Sequence, residues 1–262
     1  MRALRDGSEH QQKINANKCE FGKQELDFLG HHINKNGIAP ITTKVRAIRD
    51  YKLPKTIKDL RRFLGMLNFY RRFVRQAAAT LAPLYDLVVK YNKLPKSKVM
   101  QWEPQQLQAF DNAKNALADA TNLAYPIPNA QLILAADASD VAVGAVLHQQ
   151  DSEGNITPLG FFSRRLDKRQ QKFSTFSREL LAVYLGVRHF RTTIEGRHVV
   201  INTDHMALVH AARNAGEREI PRETRQLMLI SNYSTEWKHV PGLLNLTADA
   251  LSRAAPQTIE PA

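Results

Sequence analysis

Residues 131–148 constrain the fold more tightly than any other stretch of this chain. Residues 132–135 form a short apolar run, residues 141–147 form a second one carrying Gly144, and four small or polar residues, Asp137 to Asp140, separate them. Both runs have strand length and composition, so the stretch predicts two strands joined by a tight acidic turn. A carboxylate at a strand end projects from the sheet rim into solvent, which puts Asp137 where a cation or substrate can reach it. The competing reading is that Asp137 and Asp140 only punctuate a hairpin, since short polar side chains bond their own turn backbone.

After this stretch the pattern continues as strand and helix in alternation. A turn at residues 151–155 leads to a third strand at 157–162, then a helix over 175–191 with Phe176, Leu180, Val183, Tyr184 and Val187 facing inward. A strand at 198–203 ends in Asp204. A short helix at 206–212, a helix at 222–232, a strand at 235–240 and a last helix at 245–253 complete the order. The result is an α/β domain with a mixed sheet. Pro126 and Pro128 mark its upstream boundary, and residues 254–262 read as a loose tail.

The upstream half is written differently. Residues 1–16 are polar, without a clear element, and have the look of a truncated edge. Residues 19–21 and 25–33 suggest a hairpin joined at Gly22-Lys23, with Gly30 inside the second strand where a backbone or ligand comes close. Thr43 caps a short helix to Tyr51. The clearest helix starts at Thr56, whose partner Asp59 three residues on makes a capping box. Ile57, Leu60, Phe63, Leu64, Leu67, Tyr70 and Phe73 form its buried stripe. Lys58, Arg61, Gly65, Asn68, Arg72 and Arg75 recur at helical spacing on another track, with Arg62 beside them. Such charges are either a solvated face or a contact for a polyanion, and the small residues between them favour close approach. Further helices are expected at 81–90 and 104–123.

Charge location bears on that choice. The formal net charge is +12, and residues 41–100 hold 15 Lys+Arg against 3 Asp+Glu, leaving 22 of each elsewhere. A basic excess confined to one segment points to a grip on a polyanion. The single cysteine, Cys19, excludes an internal disulfide and a cysteine zinc site, and no apolar run approaches a membrane span. An intracellular setting is expected, in a cytoplasmic particle or the nucleus.

Four acids occupy comparable places in the downstream half: Asp137 and Asp204 end strands, Glu179 lies early in the long helix, and Asp249 lies in the last helix. Each alone has an ordinary structural reading as a turn, dipole or solvated residue. Together they can converge on one rim, and converging carboxylates require cations. Oxygen-only ligands select Mg²⁺ or Mn²⁺, and two such ions can drive hydrolysis of a phosphodiester.

Several motifs carry a family resemblance. Thr203-Asp204-His205, Ser177-Arg178-Glu179-Leu180-Leu181, Asp137-Ala138-Ser139-Asp140 with Gly144-Ala145-Val146-Leu147, and Ala248-Asp249-Ala250-Leu251-Ser252-Arg253 resemble the RNase H domain of gypsy-type LTR-retrotransposon Pol polyproteins. Lys18-Cys19-Glu20-Phe21-Gly22 and Phe28-Leu29-Gly30-His31 are similar to the end of the reverse-transcriptase palm, and residues 60–73 resemble its thumb. The resemblance covers about residues 18–253. It implies a palm remnant at 1–40, a thumb and helical linker at 41–128, and an RNase H domain at 129–253 with a five-stranded mixed sheet. Asp137, Glu179, Asp204 and Asp249 are implied as catalytic residues and ligands of two Mg²⁺ ions, with Mn²⁺ as substitute. The implied reaction is cleavage of the RNA strand of an RNA–DNA hybrid, bound through the Lys58–Arg75 track and the Gly30 segment. The remainder of the reverse transcriptase or Pol polyprotein is the implied protein partner. His205, His239 and Asn245 stand beside the acids as auxiliary candidates.

Departures from the family are equally plain. The polymerase Tyr-x-Asp-Asp motif is missing from this sequence, which has no adjacent Asp pair, so no polymerisation by the chain alone is expected. Gln226 stands where the family usually has tryptophan, and the 241–245 loop is short and lacks histidine. The alternatives are a non-catalytic nucleic-acid-binding relic or domesticated module and, less favoured by the order of acids, an integrase-like enzyme.

Overall fold

The computed structural model describes residues 19–92, 94, 98–120, 122–213 and 221–241. The first element is an antiparallel meander of β1 (Glu25–Phe28), β2 (His31–Asn34) and β3 (Gly37–Pro40). Leu29 and Gly30 make the β1–β2 turn, with φ of 46° and 83°. Positive φ at both turn residues matches the twist of the flanking strands. The hairpin expected at Gly22-Lys23 is therefore corrected to one at Leu29-Gly30, and Gly30 lies in a turn rather than inside a strand. Its close approach is real: a Cβ there would stand 3.1 Å from both Phe69 Cε1 and Tyr70 Oη.

Four helices follow: α1 (Thr42–Arg49), α2 (Ile57–Phe69), α3 (Ala77–Tyr91) and α4 (Pro104–Ala118). The capping box of α2 forms as expected, Thr56 Oγ1 accepting from Asp59 N at 3.3 Å and Asp59 Oδ2 from Thr56 N at 3.3 Å. All seven residues of the anticipated stripe are buried, and burying each large apolar side chain contributes about 1.5–3 kcal/mol. The helix ends sooner than the stripe, however. Tyr70 is its C-cap, and a 3₁₀ turn covers Arg71–Phe73. The reason is tertiary: the Tyr70 hydroxyl donates to Gly30 O at 2.9 Å, and the His31 ring lies against Phe69, Tyr70 and Phe73. Likewise α4 stops at Ala118, short of the anticipated residue 123, because Leu123 instead pairs with Ile38.

The downstream half holds β4 (Gln131–Ala138), β5 (Ala142–Gln150), β6 (Ile156–Arg165), α5 (Thr175–His189), the short α6 (Arg191–Ile194), β7 (Val199–Thr203), α7 (Met206–Arg213), α8 (Pro221–Ser231) and β8 (Thr235–His239). The five strands order as β6-β5-β4-β7-β8, antiparallel on the first side of β4 and parallel on the second, which is the mixed sheet anticipated. The final helix predicted at 245–253 lies outside the described residues.

Both faces of β4 are covered, which is why its sequence is apolar without strict alternation. Leu132, Leu134 and Ala136 face the core built on α5, while Ala135 packs against the core of α1–α4. Gly186 allows α5 to lie close on the sheet, since a Cβ there would be 2.8 Å from Ala145 Cβ. On the opposite face Val146 and Phe161 belong to the same core as α2, α3 and α4. Polar contacts tie the halves further. Arg71 donates to Ser163 O, Ala78 N donates to Ser163 Oγ at 3.0 Å, and Arg165 pairs with Asp86 at 2.6 Å. Residues on either side of position 128 thus share one packed face. Among the described residues no helix is long and apolar enough to cross a membrane.

Candidate catalytic site and nucleic-acid face

Parallel pairing of β4 with β7 builds the site. The register runs Leu134 to Ile201 and Ala135 to Asn202, so two residues further on Asp137 comes level with Asp204. Neighbouring strands are about 4.8 Å apart, and both carboxylates therefore emerge side by side from the C-terminal rim. Both are exposed.

Glu179 reaches the same rim from α5. Ser174 caps that helix, its Oγ accepting from Ser177 N at 3.2 Å, and Glu179 follows in the second turn. Only 5% of Glu179 is exposed, and its Oε1 accepts from Ala138 N at 3.2 Å. Burial first, then the charges of Asp137 and Asp204, push its carboxyl up from 4.5 to about 8. The Ala138 amide and nearby Arg178 oppose that rise without cancelling it. Three of the four anticipated acids thus feel one another across the rim. Asp249, the fourth, and Asn245 lie outside the described residues. Among the described residues no three His, Cys, Asp or Glu side chains form a compact cluster fitted to hold a metal ion. The donor chemistry nonetheless suits a divalent cation: the oxygens are all carboxylate, and burial, with the charges of Asp137 and Asp204 added, keeps Glu179 protonated near neutrality.

The two auxiliary histidines that are described flank Asp204. His239 ends β8 opposite Thr203, and its Nε2–H donates to Asp204 O at 3.1 Å, fixing the backbone that carries the acid. His205 N donates to Thr203 Oγ1 at 3.1 Å, and its ring meets Phe176 edge-on at 5.7 Å. Its Nδ1 is buried without a hydrogen-bond partner among the described residues. Sequence reasoning missed Ser177, whose hydroxyl donates to the buried Glu223 of α8 and so anchors the first turn of α5. Its place in the Ser-Arg-Glu run was the available signal. Gln226, also on α8, is buried, and its Oε1 has no hydrogen-bond partner among the described residues.

An open cavity of about 460 Å³ lies beside the acids. Asp137, Ser139 and Asp204 line one side, and Arg75, Gln76, Ala79 and Thr80 of the linker line the other. The anticipated basic track is accordingly split. Lys58, Arg61, Arg62, Gly65 and Asn68 are exposed on α2, and Arg61 bonds Asn92 Oδ1 at 2.5 Å. Gly65 faces open space, with nothing within 4 Å of a built Cβ. Past the helix end Arg72 lies 5.5 Å over the Phe73 ring, and Arg75 turns to the carboxylate cavity. A single helical track through residue 75 is corrected here, because the chain leaves helical geometry at Tyr70. Gly30 is stacked on Phe69 and Tyr70 at the far end of α2.

Comparison with known proteins adds a family to this geometry. Residues 102–201 match the RNase H-like domain found in reverse transcriptase. The Tf2-3 and Tf2-4 transposon polyproteins of Schizosaccharomyces pombe are each 34% identical over 247 residues, covering 94% of this chain. The chain spans 18% of the length of those relatives. Among solved structures, the foamy viral protease-reverse transcriptase in complex with dsDNA superposes over 84% of this chain and 45% of its own, at TM-score 0.69 and 18% identity. The same viral protein in complex with RNA/DNA hybrid superposes over 92% of this chain and 31% of its own, at TM-score 0.67. Residues 102–201 thus match the RNase H-like domain found in reverse transcriptase, and 94% of the chain is similar to retrotransposon polyproteins.

Proposed function

We propose that this chain acts as the ribonuclease H of a retrotransposon reverse transcriptase, hydrolysing the RNA strand of an RNA–DNA hybrid. The observation that carries the reading is the convergence of Asp137 and Asp204, level at the rim of adjacent parallel strands, with a Glu179 whose carboxyl is pushed up to about 8 by burial and then by their charges. Acids arranged to repel one another at a solvent-facing rim have little structural use, and perturbed carboxylates cluster where chemistry is done. Asp137, Glu179, Asp204 and Asp249 would hold Mg²⁺, or Mn²⁺ in its place, in a pair of sites. Such ions, when bound, activate water and stabilise the leaving oxygen of a phosphodiester.

The chain's own residues do the rest. Glu179, braced by the Ala138 amide, presents its carboxylate from a helix anchored through Ser177 and Glu223. His239 steadies the Asp204 main chain. The exposed Lys58, Arg61, Arg62 and Asn68 face of α2, with Arg72 and Arg75 beyond it, grips the duplex through its phosphates, which gives affinity without base preference. The foamy viral protein of similar fold holds dsDNA and an RNA/DNA hybrid, so a duplex ligand is the natural one to test. Choice of RNA would rest on the 2′-hydroxyl and on duplex shape.

The test is cleavage of an end-labelled RNA–DNA hybrid in Mg²⁺, with Asp137→Asn as the comparison. Wild-type cutting of the RNA strand, reduced by orders of magnitude in a well-folded Asp137→Asn protein, is expected because one lost ligand disturbs both ions. A folded variant that cuts at the wild-type rate overturns the assignment. Hybrid binding without any cutting by the wild type leaves the non-catalytic binding module instead.

A further inference from the structure

The opposite flank of the carboxylate rim carries a second basic element, which charge counts over long segments conceal. Residues 129–253 hold 15 Lys+Arg and 13 Asp+Glu and look neutral. Nine of them, residues 164–172, contain five of those cations, Arg164, Arg165, Lys168, Arg169 and Lys172, against the single acid Asp167. The remainder of the segment is slightly acidic, so the domain's basic surplus sits in this one stretch, the end of β6 and the loop that leads to α5.

The loop is held in a defined shape. Asp167 Oδ1 accepts from the backbone N–H of Arg169 at 2.9 Å and of Gln170 at 2.8 Å, so its charge is directed at the main chain rather than at the neighbouring cations. Gln170 Oε1 accepts from Asp167 N at 3.1 Å, and Gln171 Nε2 donates to Leu166 O at 3.1 Å. Leu166 is buried, and its N–H donates to Val141 O at 2.9 Å, tying the loop root to the turn after β4. Arg165 faces the linker and pairs with Asp86. Arg164, Lys168, Arg169 and Lys172 are exposed, and none of them forms an ion pair within the described residues.

Register places this loop beside the acids. Ala138, whose N–H holds Glu179, pairs with Val143, and Val143 pairs with Arg164. Two strand spacings put the Arg164 backbone roughly 10 Å from that of Ala138, within the span of a long side chain plus one strand of a duplex. Alternation along β6 turns Arg164 away from the linker, toward the side of the sheet where α5 lies. Four exposed cations without ion-pair partners among the described residues, on a braced segment beside the rim, form a positive surface suited to a polyanion.

We propose that the loop of residues 164–172 grips the sugar-phosphate backbone of a nucleic-acid duplex alongside the carboxylate rim, as a polyanion contact separate from the α2 face. The proposal rests on the reading of the rim as a hybrid-cutting site and adds where the duplex is held around it.

The experiment measures binding of a fluorescent RNA–DNA hybrid by the full chain in EDTA, where cutting does not interfere, between 50 and 200 mM KCl. The variant Arg164→Gln/Lys168→Gln/Arg169→Gln/Lys172→Gln is compared with wild type and with Arg164→Lys/Arg169→Lys, which keeps the charge. If two to four phosphate contacts are lost, the slope of log affinity against log salt falls by about 2 to 4, and affinity at 50 mM falls at least about tenfold. The charge-keeping variant retains most of the wild-type slope. Should wild type bind and cut while the neutralised loop, still folded by circular dichroism, keeps the same slope and affinity, the loop proposal is overturned and the cutting site stands. Should wild type neither bind nor cut, the reading of the rim fails and the loop proposal falls with it.

Discussion

Replacing Glu179 by Gln should stabilise the metal-free protein, and do so increasingly as pH rises. Glu179 is 5% exposed, and its carboxyl is pushed from 4.5 to about 8 by burial and by Asp137 and Asp204. Between those values the folded protein keeps a proton that the unfolded chain has released. Stability is therefore fully present below 4.5 and is lost progressively as pH rises through 8. Each tenfold change in proton concentration within that window costs about 1.4 kcal/mol, so the penalty grows from about 1 kcal/mol at pH 5 to roughly 4 kcal/mol at pH 8. Gln carries no such penalty. His148 works the other way: buried and facing Arg75, it is pushed down to about 4, so its contribution is present above 6.5 and lost as pH falls toward 4. Because His148 is common to both proteins, it cancels in their difference. Urea denaturation of wild type and Glu179→Gln in EDTA at pH 5, 6.5 and 8 measures the gap directly. A gap at pH 8 no larger than at pH 5 would refute the electrostatic account of the site. Added Mg²⁺ should narrow the gap at pH 8, since a bound cation supports the ionised carboxylate.

Four other outcomes are expected. Gly65→Leu projects into open space, so it should leave the folding free energy within about 0.5 kcal/mol, yet weaken hybrid binding by holding a groove off α2. Charge reversal at Arg61 and Arg72 should weaken binding and flatten its salt dependence; unchanged slopes in both experiments would make that face merely solvated. Arg71→Ala and Ser163→Ala should each destabilise by about 1–3 kcal/mol, with the double variant less than additive because both act on one hydrogen-bonded junction between the 3₁₀ turn and β6. With template, primer, dNTPs and Mg²⁺ or Mn²⁺ the purified chain should show no primer extension, and extension that survives removal of contaminating polymerase would reveal a further metal site.

Local chemistry was legible where it acts over a few residues. The Thr56–Asp59 cap, the stripe from Ile57 to Leu67, the acidic turn after β4 and the mixed order of strands all follow from periodicity, capping and turn residues, and each is present in the structure. The acids were legible as strand-end and helix residues, because Asp137 and Asp204 sit where apolar runs stop. What the sequence by itself determined, then, was which residues could meet and on what kind of element.

Tertiary structure decided which of them do meet, and how strongly. The level placement of Asp137 and Asp204 depends on a parallel register between strands far apart in the chain, which no local pattern encodes. The end of α2 at Tyr70 goes with a hydroxyl reaching Gly30, forty residues upstream, and with His31 packed on Phe69, Tyr70 and Phe73, and past that point Arg72 and Arg75 lie off the anticipated track. The basic loop at 164–172 escaped notice for a related reason. Charge summed along a sequence averages over the domain, whereas a duplex responds to charge gathered at one place on the surface, and only the pairing of β6 with β5 brings that place beside the acids.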